Sequence, residues 1–73
     1  MNFSVLISVY YKEKPEYLED AINSIFNQTL LPKEVILVED GKLTDELYAV
    51  INILKEKYHE IKTVRLKENQ GLG

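Results

Sequence analysis

The chain contains no cysteine. That single absence excludes a disulfide framework, a thiolate zinc site and a cysteine nucleophile together. Histidine occurs once, at His59 in a charged stretch. One histidine without partners builds neither a Ser-His-Asp triad nor a histidine metal site, so a surface position is expected for it. The loop after the first apolar run, Tyr10 to Lys14, holds no glycine. Neither a G-x-G-x-x-G dinucleotide turn nor a P-loop is therefore available at that point. No apolar run approaches the ~20 residues of a membrane span, and no apolar segment precedes a small-residue cleavage site. A cytoplasmic location is the expectation. Basic charge is also short: 9 lysines and arginines against 12 acids leave a net charge of −3. This provides no electrostatic footprint for nucleic acid or an anionic membrane.

What remains is an ordinary globular composition, 45% apolar and 29% charged, in a chain long enough for one small domain. A domain of this size buries only about 60% of its unfolded surface. Glu34 to Gly41 organises it. Val35, Ile36, Leu37 and Val38 run without a polar break, then Glu39 and Asp40 arrive together, then Gly41. A short unbroken apolar run bounded by turn signals predicts a strand buried on both faces, as in a parallel sheet. The two acids would emerge where the strand leaves the core, and Gly41 lets the backbone turn there. In open α/β sheets ligands bind at that rim, outside the carboxyl ends of the strands.

The rest of the chain falls into place around this strand. Phe3 to Val9 contains a second unbroken run, Val5-Leu6-Ile7, and predicts a first strand of the same buried kind. Pro15 suits the first turn of a helix, with Glu16 and Glu19 near its positive end. Tyr17, Leu18, Ala21, Ile22, Ile25 and Phe26 form its apolar face, and Asn27 to Pro32 ends it. Thr44 is placed to cap a second helix, with Asp45 and Glu46 in its first turn and Leu43 and Tyr48 at the positions of a hydrophobic staple. Leu47, Val50, Ile51, Leu54 and Tyr58 mark the apolar face of this helix. Ile61 to Leu66 predicts a more polar third strand at a sheet edge, and Asn69 to Gly73 is turn chemistry. There is no linker, low-complexity segment or repeat beyond the alternation itself.

The fold expected is α/β, a three-stranded parallel sheet in the order 3-2-1 with two crossover helices. Crossovers between parallel strands are right-handed in ~98% of cases, so two steps in the same direction place both helices on one face. The other face is then bare, although the first two strands are apolar enough to want cover on both sides. Residues 1–73 are thus expected to be one part of a larger α/β domain, or a subunit needing a partner. The first strand carries neither proline nor charge, and such an edge is a template for pairing. Self-association through the first strand or the bare face follows as an expectation.

Several chemistries are open at the rim. Glu39 and Asp40 are able to bind a cation, to accept N–H donors from a base or sugar, or simply to solvate a strand end. Tyr10 and Tyr11 suit either rim packing or ligand contact. A carboxylate only accepts hydrogen bonds and the imide N3–H of uracil or thymine only donates, so Asp40 is chemically suited to those bases. A receiver-like domain is a second reading of an acid-tipped strand, but its acid pair usually ends the first strand. A non-enzymatic α/β interaction module is a third.

Taken together, four stretches resemble the start of family 2 glycosyltransferases, nucleotide-sugar-dependent enzymes of the GT-A fold. They are Ser4 to Tyr10, the helix from Tyr17-Leu18 to its Asn27-Gln28-Thr29 end, Glu34 to Gly41, and Asn69-Gln70-Gly71. The resemblance runs over essentially the whole chain and is nearest to bacterial enzymes that assemble surface polysaccharides. It implies a partial Rossmann-like GT-A domain in which Ser8 and Tyr10 line the base and ribose pocket. Glu13 would reach the ribose hydroxyls, Asp40 would accept the uracil N3–H, and Gly41 would complete the loop. Tyr11 departs from the asparagine usual in the family. Asn69 and Gly71 match the loop leading to the family's third helix. The D-x-D motif for Mg or Mn, the catalytic base and the acceptor site would lie beyond Gly73. The implied activity is inverting transfer of a sugar from a nucleotide-diphosphate donor, a UDP-sugar, to an acceptor hydroxyl. This chain would contribute nucleotide recognition and be inactive alone, and the full-length enzyme would work at the cytoplasmic face of the membrane.

Overall fold

A computed structural model describes residues 2–67. The elements alternate as β1 (Ser4–Val9), α1 (Pro15–Phe26), β2 (Glu34–Asp40), α2 (Asp45–Lys57) and β3 (Ile61–Leu66). The three strands form one parallel sheet with β2 in the middle. The α/β architecture and the 3-2-1 order are those expected. The turn expected at Asn69 to Gly73 lies outside the described residues.

The helix boundaries follow from local chemistry. Pro15 opens α1, where its missing N–H is not needed, and the Lys14 carbonyl accepts the N–H groups of Tyr17 and Leu18 at 3.0 and 3.1 Å. Asn27 closes α1 with its own N–H on the Ser24 carbonyl. At α2 the Thr44 hydroxyl accepts the N–H of Leu47 at 3.2 Å, satisfying a donor that has no partner within the helix. The Tyr48 hydroxyl accepts the N–H of Leu43 at 3.0 Å. The staple pair is therefore tied by a hydrogen bond as well as by apolar packing.

Strand parity decides what is buried. Val5, Ile7 and Val9 of β1 pair with Val35, Leu37 and Glu39 of β2, and those with Ile61, Thr63 and Arg65 of β3. This face meets the helices. Its core joins Val9, Val35, Leu37 and Ile61 to Leu18 and Ile22 of α1, Leu43 before α2, and Leu47, Ile51 and Leu54 of α2. The helices lock together at their C-terminal ends. Phe26 stacks on Tyr58 at 4.1 Å between ring centroids, and the Tyr58 hydroxyl donates to Asn23 Oδ1 at 2.6 Å.

The opposite face carries Leu6, Ile36 and Lys62 in one row and Ser8, Val38 and Val64 in the next. Leu6 is 68% exposed and Val64 47%. The two-sided burial expected of β1 and β2 is thus corrected: among the described residues both helices lie on one face, and the apolar runs are covered on that side alone. Tyr17 is a second correction. It was expected on the core face of α1 but is 61% exposed, with Lys14 Nζ lying 5.3 Å from its ring centroid. Leu18 and Ile22 fill the contact with the core, and Tyr17, one residue around the helix, is left at the margin of the stripe.

Candidate functional site

The rim formed by the carboxyl ends of β1 and β2 gathers the candidate residues. Ser8 sits on the open face of β1, in register with Val38. Asp40 ends β2 two residues beyond Val38 and therefore projects from that same face. It is half-buried, and among the described residues it takes part in no ion pair. Tyr10 follows directly on β1 and is 46% exposed. Its carbonyl accepts the N–H of Glu13 at 2.9 Å, a tight turn that folds the loop back and leaves Glu13 half-buried. Tyr11 packs edge-on against Tyr10 with centroids 6.1 Å apart, and Lys12 Nζ lies 5.9 Å from the Tyr11 ring.

Gly41 shapes the exit from β2. It is buried with φ of 85°, a left-handed conformation that costs a residue bearing a Cβ but not glycine. Its N–H returns to the Glu39 carbonyl at 3.0 Å. This closes a three-residue turn centred on Asp40, a common ending for a strand. The chain is thereby turned away just where the carboxylate of Asp40 is presented.

The adjacent acid goes elsewhere. Glu39 was expected to emerge at the rim beside Asp40, but it is only 4% exposed and faces the helices. Its Oε1 accepts from Arg65 Nε at 3.2 Å, and the Arg65 guanidinium lies 5.6 Å from the centroid of Tyr48. Consecutive residues of a strand point to opposite faces, so the two carboxylates cannot chelate one ion. Among the described residues no group of three or more histidine, cysteine or acidic side chains is placed to hold a metal.

At the far end of the sheet, Ser4 Oγ donates to Glu34 Oε2 at 2.8 Å and Lys62 lies 3.5 Å from Oε1. The Ser4 hydroxyl, helped by Lys62, holds the Glu34 carboxyl below its ordinary range. This group is remote from the rim and belongs to strand pairing. His59 is exposed in the turn between α2 and β3. None of the described helices is long and apolar enough to cross a membrane.

Sequence reasoning missed the Glu39–Arg65 pair. The signal was present: aligning Val35 with Ile61 as the first pair of two parallel strands sets Glu39 opposite Arg65.

Comparison with known proteins bears on the identity of this rim. The chain is 45% identical over 72 residues to the UDP-Gal:alpha-D-GlcNAc-diphosphoundecaprenol beta-1,3-galactosyltransferase of Escherichia coli, a match covering 99% of the chain and 26% of that protein. It is 45% identical over 75 residues to the amylovoran biosynthesis glycosyltransferase AmsE of Erwinia amylovora, covering 97% of the chain and 26% of the relative. An uncharacterized glycosyltransferase of Haemophilus influenzae is 41% identical over 73 residues, covering 100% of the chain and 27% of the relative. The chain thus spans about a quarter of the length of these curated relatives. No solved structure matches. The family model described as Glycosyl transferase family 2 matches residues 4–73. With its acid-tipped middle strand and parallel sheet inside that match, the chain belongs to glycosyl transferase family 2.

Proposed function

We propose that residues 1–73 form the N-terminal part of a nucleotide-sugar-binding domain, and that their task is to recognise the uridine of a UDP-sugar. The observation that carries this is Asp40. Its carboxylate stands at the end of the middle strand, on the face the helices leave open, with no ion-pair partner among the described residues. An acceptor held there suits the imide N3–H of uracil and not the N3 of cytosine, which is itself an acceptor. Ser8 and Tyr10 at the end of β1 would flank the base and ribose, and Glu13, brought back by its turn, would reach the ribose hydroxyls. Gly41 would let the loop pass close behind the base.

The whole enzyme would transfer the sugar from the diphosphate to an acceptor hydroxyl with inversion at the anomeric carbon, in surface polysaccharide synthesis. The printed names of the relatives support this, one specifying a UDP-linked galactose donor and another amylovoran biosynthesis. A divalent cation on the diphosphate, Mg or Mn, would be held by residues other than Glu39, which is committed to Arg65. Transfer would take place at the cytoplasmic face of the membrane, and the 73-residue chain would not catalyse it alone. The exposed Leu6 and Val64 favour a second property, self-association through the bare face or the β1 edge.

NMR titration with UDP and CDP tests the assignment. UDP should shift the resonances of Ser8, Tyr10 and Asp40, and CDP should bind more weakly. Losing a charge-assisted hydrogen bond costs about 1.5–3 kcal/mol, so Asp40→Asn should weaken UDP roughly 10- to 150-fold. Equal responses to both nucleotides, or none at the rim, would refute it.

A further inference from the structure

Glu39 is the one buried charged residue among those described, and uridine recognition by Asp40 leaves it without a task. A carboxylate taken out of water costs several kcal/mol unless it is paired and hydrogen-bonded. Here the partner is unequal: the side chain of Glu39 is 6% exposed and that of Arg65 69%. Such a pair on a strand end invites the question of what it holds still.

The contacts answer it. Arg65 ties Glu39 to β3 at 3.2 Å. The same guanidinium lies 5.6 Å from the Tyr48 ring, within cation–π reach. Tyr48 accepts the Leu43 N–H at 3.0 Å, and Gly41 donates back to the Glu39 carbonyl at 3.0 Å. Asp40 to Leu43 is therefore clamped at both ends, by Glu39 before it and by Tyr48 after it. Without the Arg65 partner, Glu39 would be driven toward water. Because neighbours on a strand point oppositely, any twist of β2 that exposes Glu39 also swings Asp40 off the open face.

We propose that Glu39 is a positioning residue: held by Arg65 and through it by Tyr48, it fixes the end of β2 so that Asp40 meets the edge of the base. The proposal rests on the assignment of Asp40 to uracil, and it extends the recognition site to residues that never touch the nucleotide. Two consequences follow. Arg65 controls base selectivity from the far side of the sheet, and its loss is felt as poorer discrimination beyond whatever it costs the fold.

The test uses the 73-residue chain with three variants, Arg65→Met, Arg65→Lys and Ile51→Val. Ile51 lies in the core on α2, away from the rim, and serves as a destabilised control. Two quantities are read: the UDP and CDP dissociation constants, and hydrogen exchange of the Gly41 amide. Arg65→Met should weaken UDP about tenfold, as expected when a ligand hydrogen bond is misaligned, and shrink the preference over CDP. It should also speed exchange at Gly41, while Arg65→Lys restores part of both. Ile51→Val, though less stable, should leave the preference and the Gly41 amide as they are. Unchanged UDP binding in Arg65→Met, or an equal loss in Ile51→Val, overturns the proposal. If the parent chain itself fails to distinguish UDP from CDP, the assignment of Asp40 has failed instead. The clamp is then judged on Gly41 alone, where exchange faster in Arg65→Met than in Ile51→Val upholds it and equal rates overturn it.

Discussion

Leu6 and Leu37 are one row apart on neighbouring strands and face opposite ways. Leu6 is 68% exposed and Leu37 is 0% exposed. Truncating a buried leucine to alanine removes its burial energy and leaves a cavity, costing about 2–5 kcal/mol. A core of this size supplies only about 3–5 kcal/mol in total. Leu37→Ala should therefore unfold much of the population, whereas Leu6→Lys should move stability by about 0.5 kcal/mol or less. Urea titration followed by circular dichroism reads both. Leu6→Lys has a second effect, since it plants a charge in the bare face and on the β1 edge. Sedimentation of the parent chain at ~100 μM should show dimers, because even a weak ~10 μM dimer is mostly assembled at that level. The lysine variant should sediment as a folded monomer. If Leu6→Lys unfolds as readily as Leu37→Ala, the assignment of faces is wrong. If it stays folded and dimeric, assembly uses another surface.

Gly41→Ala places a Cβ at φ of 85° in a buried turn and should cost about 1–2 kcal/mol; a thermal melt equal to that of the parent would show that the turn relaxes freely. Ser4→Ala should raise the Glu34 pKa toward its ordinary value, followed by the carboxyl carbon shift against pH. Because the folded carboxyl lies below its unfolded value, the stability it adds is present above the unfolded pKa and is lost as pH falls through the folded one. The parent chain should thus lose more stability on acidification than Ser4→Ala, and identical acid profiles would refute the coupling. Manganese should leave UDP binding to this chain nearly unchanged in calorimetry, since Glu39 and Asp40 face apart; a large gain would mean a cation site at the rim.

The helix and strand boundaries were legible because each rests on local chemistry. Pro15 and Thr44 start helices for reasons confined to one turn, and Ile61 to Leu66 is a short run between the charged turn at His59-Glu60 and Lys67. The faces of β1 and β2 were not legible for a definable reason. Alternation is read from polar residues, and Val35 to Val38 contains none. Tyr17 failed differently: two adjacent apolar residues on a helix compete for one contact, and the narrow sheet accommodates Leu18 alone. The residues proposed for the site were visible in sequence because they cluster where strands end. The device behind them was not, because Glu39 and Arg65 stand 26 positions apart and meet only once strand register is known.

Register also explains how one strand end gives two like groups different tasks. Glu39 and Asp40 carry the same functional group and sit side by side in the chain, so residue chemistry alone does not separate them. The pleat does. It sends the first acid inward, where burial obliges it to find a cation, and the second outward, to the open face where the proposal places the base. The inward acid needs an arginine rather than a lysine nearby, because a planar guanidinium can face both a carboxylate and an aromatic ring. Arg65 does so between Glu39 and Tyr48. A shift of one residue in the register of β2 would exchange the two roles, burying Asp40 and turning Glu39 to the open face. At the other end of the sheet Ser4 pairs in register with Glu34, and Lys62, two residues further along, reaches back to the same carboxylate, so polar contacts join all three strands there. The alternation along β2 is therefore what keeps Asp40 on the open face and Glu39 against the helices.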